Sequence, residues 1–232
     1  MNTAVILAGG IGSRMNMQSH PKQYLPICGR PIIDYALSAF EQHPMIDHIV
    51  IVLAEPWKAF MDEWLGKSHI TKFIGYAPAG SSRQHSILNG LRQIKKLMPA
   101  TQKVIIHDAA RPLVSQELIS ACIQGLDEAE GVMPALPVTD TCYQSNDGRF
   151  ITGRLRRNEL FAGQAPEAFR FSRYLDIQDQ LTEEELMTVS GSSELAFKNG
   201  MRVLLVPGSK TNIKVTTRED LQLVEQYLKG GD

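Results

Sequence analysis

The sequence is poor in cysteine: Cys28, Cys122 and Cys142, three in 232 residues and far apart, offer neither a disulfide framework nor a metal knuckle, and a reducing cytoplasm is the expected setting. Net charge is nearly absent too. Lys plus Arg number 24 and Asp plus Glu 25, so nothing in the bulk electrostatics suits a polyanionic partner such as nucleic acid. No apolar run approaches the roughly 18 residues of a membrane-crossing helix. The short apolar start, residues 1–8, is cut off by Gly9 and Gly10 and has no basic flank, unlike a signal peptide. Also missing are an Asp-x-Asp pair of the kind glycosyltransferases use for metal and a His-x-x-x-His pair that would suggest zinc.

What remains is the composition of a globular protein, 43% hydrophobic and 21% charged. Continuous, mostly Val/Ile-rich runs at 3–8, 48–53, 72–76, 103–107, 131–137 and 202–206 read as strands buried on both faces. Helical periodicity fills 31–43, 57–65, 82–97 and 115–130, with Pro31 suited to a first turn and Ser115 to an N-cap. Such alternation predicts an α/β fold of three layers, a mostly parallel sheet covered on both sides by helices. After Pro137 the pattern changes. Segments 141–145 and 149–154 flank Asn146, Asp147 and Gly148, which predicts a β-hairpin arm over 138–158 projecting from a single domain over 1–232. Helices at 171–181 and 192–199 precede the last strand, and an amphipathic helix at 218–229 follows it.

Chemistry-bearing residues gather where these strands end. The first strand runs into Gly9, Gly10, Ile11, Gly12, Ser13 and Arg14, and Pro21, Lys22 and Gln23 follow. Glycines there let backbone amides approach an anion with no Cβ in the way, while Arg14 and Lys22 supply counter-charge, which outlines a triphosphate cradle. The turn does not end as a Walker A loop does, and the third glycine of a dinucleotide fingerprint would fall on Met15. A second group, His107, Asp108, Ala109, Ala110, Arg111 and Pro112, follows the strand at 103–107, where open α/β sheets collect ligands. Asp108 is a candidate Mg2+ ligand and Arg111 a candidate phosphate grip; capping of the next turn is the plainer alternative. Gly80, Ser81, Ser82 and Ser86 at a helix start can hydrogen-bond the edge of a base, or simply cap the helix. Late in the chain, Lys214, read as held on a short strand entering the site, is placed to meet charge developing on phosphorus; a surface lysine is the plainer alternative.

Together, residues 7–15, Pro21-Lys22-Gln23-Tyr24-Leu25, His107-Asp108-Ala109-Ala110-Arg111-Pro112 and Asn212-Ile213-Lys214-Val215-Thr216 resemble the CTP-dependent cytidylyltransferases that act on polyol phosphates. The resemblance spans nearly the whole chain and touches two branches, one acting on 2-C-methyl-D-erythritol 4-phosphate and one on ribitol 5-phosphate. It implies a Rossmann-like nucleotidyltransferase fold, Mg2+ as cofactor, and a homodimer in which each arm helps complete its neighbour's site. By the same resemblance Ala8, Gly9, Gly10, Ile11 and Gly12 wrap the CTP phosphates, and Arg14, Lys22 and Lys214 stabilise the reacting phosphates. Gly80, Ser81 and Ser86 hold the cytidine, Asp108 the Mg2+, and Arg111, Thr141 and Arg157 face the acceptor.

Two segments depart from the family pattern. Its Thr-Pro-Gln is Ala165-Pro166-Glu167 here, and its late Thr-Asp-Asp/Glu-Ala is replaced within Ser190-Gly191-Ser192-Ser193-Glu194-Leu195-Ala196. Both lie toward the acceptor end in the family. Ile11-Gly12-Ser13 after the double glycine and the missing late Asp lean toward ribitol 5-phosphate, with 2-C-methyl-D-erythritol 4-phosphate as the alternative. The expected reaction needs neither a covalent intermediate nor a general base, because the acceptor's phosphate oxygen is already an anionic nucleophile. Competing expectations are a sugar-1-phosphate nucleotidyltransferase, a CTP-binding regulator without turnover and, more weakly, a glycosyltransferase.

Overall fold

Apolar runs that do not alternate must bury both faces of a strand, and the computed structural model, which describes residues 1–10, 21–189 and 191–230, lays four of them side by side in parallel. In chain order, β1 (Asn2–Leu7) leads through the short pair β2 (Pro26–Ile27) and β3 (Arg30–Pro31) into α1 (Ile32–Gln42) and β4 (His48–Leu53). Then come α2 (Lys58–Leu65), β5 (Phe73–Pro78), α3 (Arg83–Leu97), β6 (Lys103–Asp108), α4 (Gln116–Gly125) and β7 (Gly131–Pro137). Strands β5, β4, β1 and β6 are neighbours in that order, all parallel. Helices cover both faces. Ile33, Leu37 and Phe40 of α1, Met61 of α2 and Ile119 and Cys122 of α4 pack on Ala4, Ile6, Ile49 and Ile51. On the other side Ile87, Leu91 and Ile94 of α3 meet Val5, Val50, Val52 and Val104, the alternate residues of the same strands.

The second half mixes directions. The arm contains β8 (Tyr143–Gln144) and β9 (Gly153–Arg154), and the chain continues with β10 (Phe161–Gly163), β11 (Glu167–Arg170), α5 (Phe171–Asp179), α6 (Glu183–Thr188), α7 (Ser192–Lys198), β12 (Val203–Pro207) and α8 (Arg218–Lys229). Strand β10 pairs antiparallel with the far end of β7, and after a cis Ala165–Pro166 bond β11 runs antiparallel between β6 and β7. Strand β12 is parallel to β7, Val203 opposite Gly131. The α/β expectation of a mostly parallel sheet between helical layers agrees with this architecture. No helix among the described residues is long and apolar enough to cross a membrane.

Some expected boundaries shift. The helix expected over 115–130 stops at Gly125, where a Cβ would press on Val132 and Leu204, and the chain turns back toward β7. The hairpin forms, but its ladder is two residues a side, Tyr143 opposite Arg154 and Gln144 opposite Gly153. Strands β10 and β11 and helix α6 are additions. Each is short, and none carries an apolar period of its own.

Candidate active site

Three loops leave the sheet side by side. Leu7 is in register with Asp108 and Leu53 with Pro78. The N–H of Ala8 donates to Val52 O (2.7 Å), that of Ala79 to Leu53 O (2.9 Å) and that of Ala109 to Leu7 O (3.0 Å). The glycine turn after β1 therefore sits between the loops that follow β5 and β6. A Cβ on Gly9 would run into the Cβ of Ala79 and lie 3.8 Å from Ser86 Oγ, so only glycine lets the turn pass this close. Gln23 Nε2 donates to the carbonyls of Ala8 (2.5 Å) and Gly10 (2.9 Å), and the Tyr24 hydroxyl to Ala8 O (3.1 Å). Those bonds pin the turn and set Lys22, on the same 3-10 turn as Gln23 and Tyr24, at its flank.

On the other side, the capping reading of the Gly80–Ser86 stretch finds its residue. Ser82 caps α3, accepting from His85 N (3.1 Å). Ser86 Oγ accepts from Gly80 N (2.9 Å) and donates to Ser82 O (2.9 Å), shaping the loop that faces Gly9.

At the end of β6 a cluster of charge is drawn together from four places in the chain. Asp108 Oδ2 accepts from Lys214 Nζ (2.8 Å) and lies 3.8 Å from Arg111 Nε, and its Oδ1 is 3.5 Å from Arg83 Nε. Arg83 continues to Glu167 (Nη2–Oε2, 3.0 Å). Burial alone would raise the Asp108 carboxyl, but the charges of Arg83, Lys214 and Arg111 outweigh it and hold it well below the usual carboxylate range. Lys214, expected on a short strand, lies instead in an irregular segment between β12 and α8, fixed from both sides: Arg111 Nη1 donates to Asn212 O (2.6 Å), and Val215 N to Ala110 O (2.8 Å). Asn212 in turn donates to Ala165 O (2.6 Å). Beneath lies His107, fully buried, its Nε2 on Arg111 O (3.0 Å) and its Nδ1 unpartnered; burial lowers its pKa to about 4. Arg83, Arg111 and Lys214 against Asp108 and Glu167 leave one surplus positive charge, an arrangement suited to a phosphate.

Magnesium carried on nucleotide phosphates takes one or two protein carboxylates and keeps its remaining ligands as phosphate oxygens and water. Asp108, at the end of the strand beside β1, has the donor chemistry for such an ion. Among the described residues no group of three His, Cys, Asp or Glu is placed to hold a metal ion.

Of the residues singled out from sequence, Ile11, Gly12 and Arg14 lie outside the described residues. Ala8, Gly9 and Gly10 are in the turn, Lys22 is on the 3-10 turn bonded to it, Gly80 and Ser86 are in the loop Gly9 faces, Ser81 pairs with His85 Nδ1 (3.2 Å), and Asp108, Arg111 and Lys214 form the charge cluster. Thr141 and Arg157 are exposed on the arm, where Arg157 Nη1 donates to Thr139 O (2.9 Å). Among the described residues no hydrogen bond or ion pair joins the arm to the Asp108 cluster. Sequence reasoning missed Arg83 and Glu167. The change from Gln to Glu in the family's Thr-Pro-Gln segment was the available signal.

Comparison with known proteins agrees with this geometry. The model of the family 2-C-methyl-D-erythritol 4-phosphate cytidylyltransferase, IspD, matches residues 2–230. A ribitol-5-phosphate cytidylyltransferase of Streptococcus agalactiae serotype Ia is 32% identical over 223 residues, covering 96% of this chain and 93% of its own. A 2-C-methyl-D-erythritol 4-phosphate cytidylyltransferase of Clostridium botulinum (strain Langeland) is 36% identical over 232 residues, covering 98% and 97%. The crystal structure of 4-diphosphocytidyl-2C-methyl-D-erythritol synthase from Anaerococcus prevotii matches with a TM-score of 0.83 at 26% identity, covering 99% of this chain and 98% of that one. The chain belongs to the IspD family of CTP-using cytidylyltransferases.

Proposed function

We propose that the acceptor is ribitol 5-phosphate, so that CTP and ribitol 5-phosphate give CDP-ribitol and pyrophosphate. The observation that carries a phosphate acceptor is the Lys214–Asp108–Arg111 cluster, with its surplus positive charge at the strand ends beside the glycine turn. The choice of branch is supported by Ile11-Gly12-Ser13 after the double glycine and by the missing late Asp. A second reading, 2-C-methyl-D-erythritol 4-phosphate, is favoured by the somewhat higher identity to relatives of that name.

In this reading an oxygen of the acceptor phosphate attacks the α-phosphorus of CTP in line. A new P–O bond forms, the bond from the α-phosphorus to the bridging oxygen breaks, and pyrophosphate leaves with that electron pair. No proton has to move. The protein's share is positioning and charge compensation: Arg14 and Lys22 at the glycine turn, and Lys214 exchanging its Asp108 partner for phosphate oxygen. Mg2+ bound by Asp108 and the phosphates would add further charge neutralisation. Thr141 and Arg157 enter from a partner subunit. The arm's exposed Tyr143, Phe150 and Ile151 suit docking on a second copy.

Pyrophosphate release with CTP and a panel of polyol phosphates tests the reading. Turnover with ribitol 5-phosphate supports it, turnover confined to 2-C-methyl-D-erythritol 4-phosphate favours the second reading, and turnover with neither overturns both.

A further inference from the structure

We propose that Glu167 is the positioning residue for Arg83 and, through it, for Asp108, and that it replaces in this chain an acidic residue of the late family motif. Arg83 has a partner for each nitrogen: Nε faces Asp108 Oδ1 (3.5 Å), Nη2 pairs with Glu167 Oε2 (3.0 Å) and Nη1 donates to Ser192 Oγ (2.6 Å). The other Glu167 oxygen accepts from the N–H (2.9 Å) and hydroxyl (2.7 Å) of Ser193. Glu167 is only 6% exposed, and a carboxylate this buried persists as an anion only where it is paired and hydrogen-bonded throughout. Its place follows from the antiparallel β11, whose register sets Glu167 opposite Ile106, two residues before Asp108.

The outcome is a row of alternating charge, Glu167, Arg83, Asp108 and Lys214, running from the start of α7 to the C-terminal segment. By holding one edge of the guanidinium, Glu167 limits the pull of Arg83 on Asp108 and leaves that carboxylate to Lys214 and Arg111. The two family departures now fit together. The family pattern puts a neutral Gln after the proline and acids in the late motif, whose span covers Gly191 and Ser192; this chain puts Glu after Pro166 and a hydroxyl at Ser192, the group that Arg83 Nη1 reaches.

The inference rests on the cytidylyltransferase reading, and exchange of the charge tests it. Full-length Glu167→Gln, Ser192→Asp and the double variant are compared for kcat and KM in pyrophosphate release and for ligand-free Tm. Glu167→Gln is expected to lower kcat about tenfold with KM for CTP changed less than about threefold, and the double variant to return to within about threefold of the unaltered protein. Ser192→Asp alone, with two carboxylates crowding one guanidinium, loses activity as well. A purely structural Glu167 would lower Tm without this kcat-specific loss or its rescue from another element. Unchanged kcat in Glu167→Gln, or a double variant no better than that single, overturns the proposal. If the unaltered protein turns over no acceptor, the acceptor reading fails separately, and recovery of the Tm lost in Glu167→Gln by the double variant decides this one. Should Glu167→Gln not fold, a folded double variant supports the exchange and an unfolded one overturns it.

Discussion

Lys214 Nζ stands 2.8 Å from Asp108 Oδ2, and that ion pair ties the segment before α8 to the end of the strand beside β1. The lysine side chain is about a third exposed and the carboxylate nearly enclosed, so the ammonium is the partner able to turn toward an incoming phosphate.

Lys214→Ala is therefore expected to act on turnover. If the ammonium behaves as one preorganised donor to the transition state, kcat falls by about 10²–10³, or about 2.7–4 kcal/mol, with little change in CTP affinity. Steady-state kinetics together with calorimetric CTP titration separate the two, and an unchanged kcat would refute the role.

Gly9→Ala tests the fit of the glycine turn. The added methyl collides with Ala79 Cβ, and relief requires the turn to move away from the Gly80–Ser86 loop. Overpacking of this kind costs about 1–3 kcal/mol. CTP-induced thermal stabilisation should shrink in Gly9→Ala and return in Gly9→Ala/Ala79→Gly. A double variant as impaired as the single would show that contact with Ala79 is not what demands glycine.

Much of this was legible in the sequence, for a definite reason. The run 48–53 matches β4 residue for residue because a strand buried on both faces needs nothing except apolar side chains. Asp108 and Arg111 stood out because they end or follow such a run, and Lys214 because of the segment Asn212-Ile213-Lys214-Val215-Thr216 around it. Strand β11 did not, since Glu167, Ala168, Phe169 and Arg170 begin and end in charge and become a strand only by lying between β6 and β7. The Arg83–Glu167 pair stayed hidden with it. No local spacing relates residues brought together by an antiparallel strand.

His107 predicts a pH dependence of stability. Its imidazole is fully buried with pKa lowered to about 4, whereas in the unfolded chain it titrates near 6.5. Below that value the unfolded state binds a proton that the folded state refuses, so stability falls as pH drops from about 6.5 to about 4, by up to about 3 kcal/mol. Urea unfolding across this range should show the slope in the unaltered protein and a shallower one in His107→Gln, whose amide can still donate to Arg111 O. Equal slopes would assign the effect to other groups.

The arm makes a prediction about assembly. Phe150 and Ile151 are 68% and 67% exposed, and replacing both with Asp removes apolar surface from the hairpin without touching the core. Light scattering should report a dimer before and a monomer after, with folding stability within about 0.5 kcal/mol and turnover strongly reduced. A monomeric unaltered protein would remove the partner subunit from the mechanism.

The two bonds that pin Lys214, from Arg111 to Asn212 and from Val215 to Ala110, have a consequence for biosynthesis. Every strand of the large sheet has emerged from the ribosome once β12 ends at Pro207, yet Asp108 then has only its two arginines. The pair with Lys214 closes only when the stretch from Asn212 to Val215 folds back onto the loop after β6, and the same stretch brings Val215 into the small core of Leu25, Ile27 and Ile32.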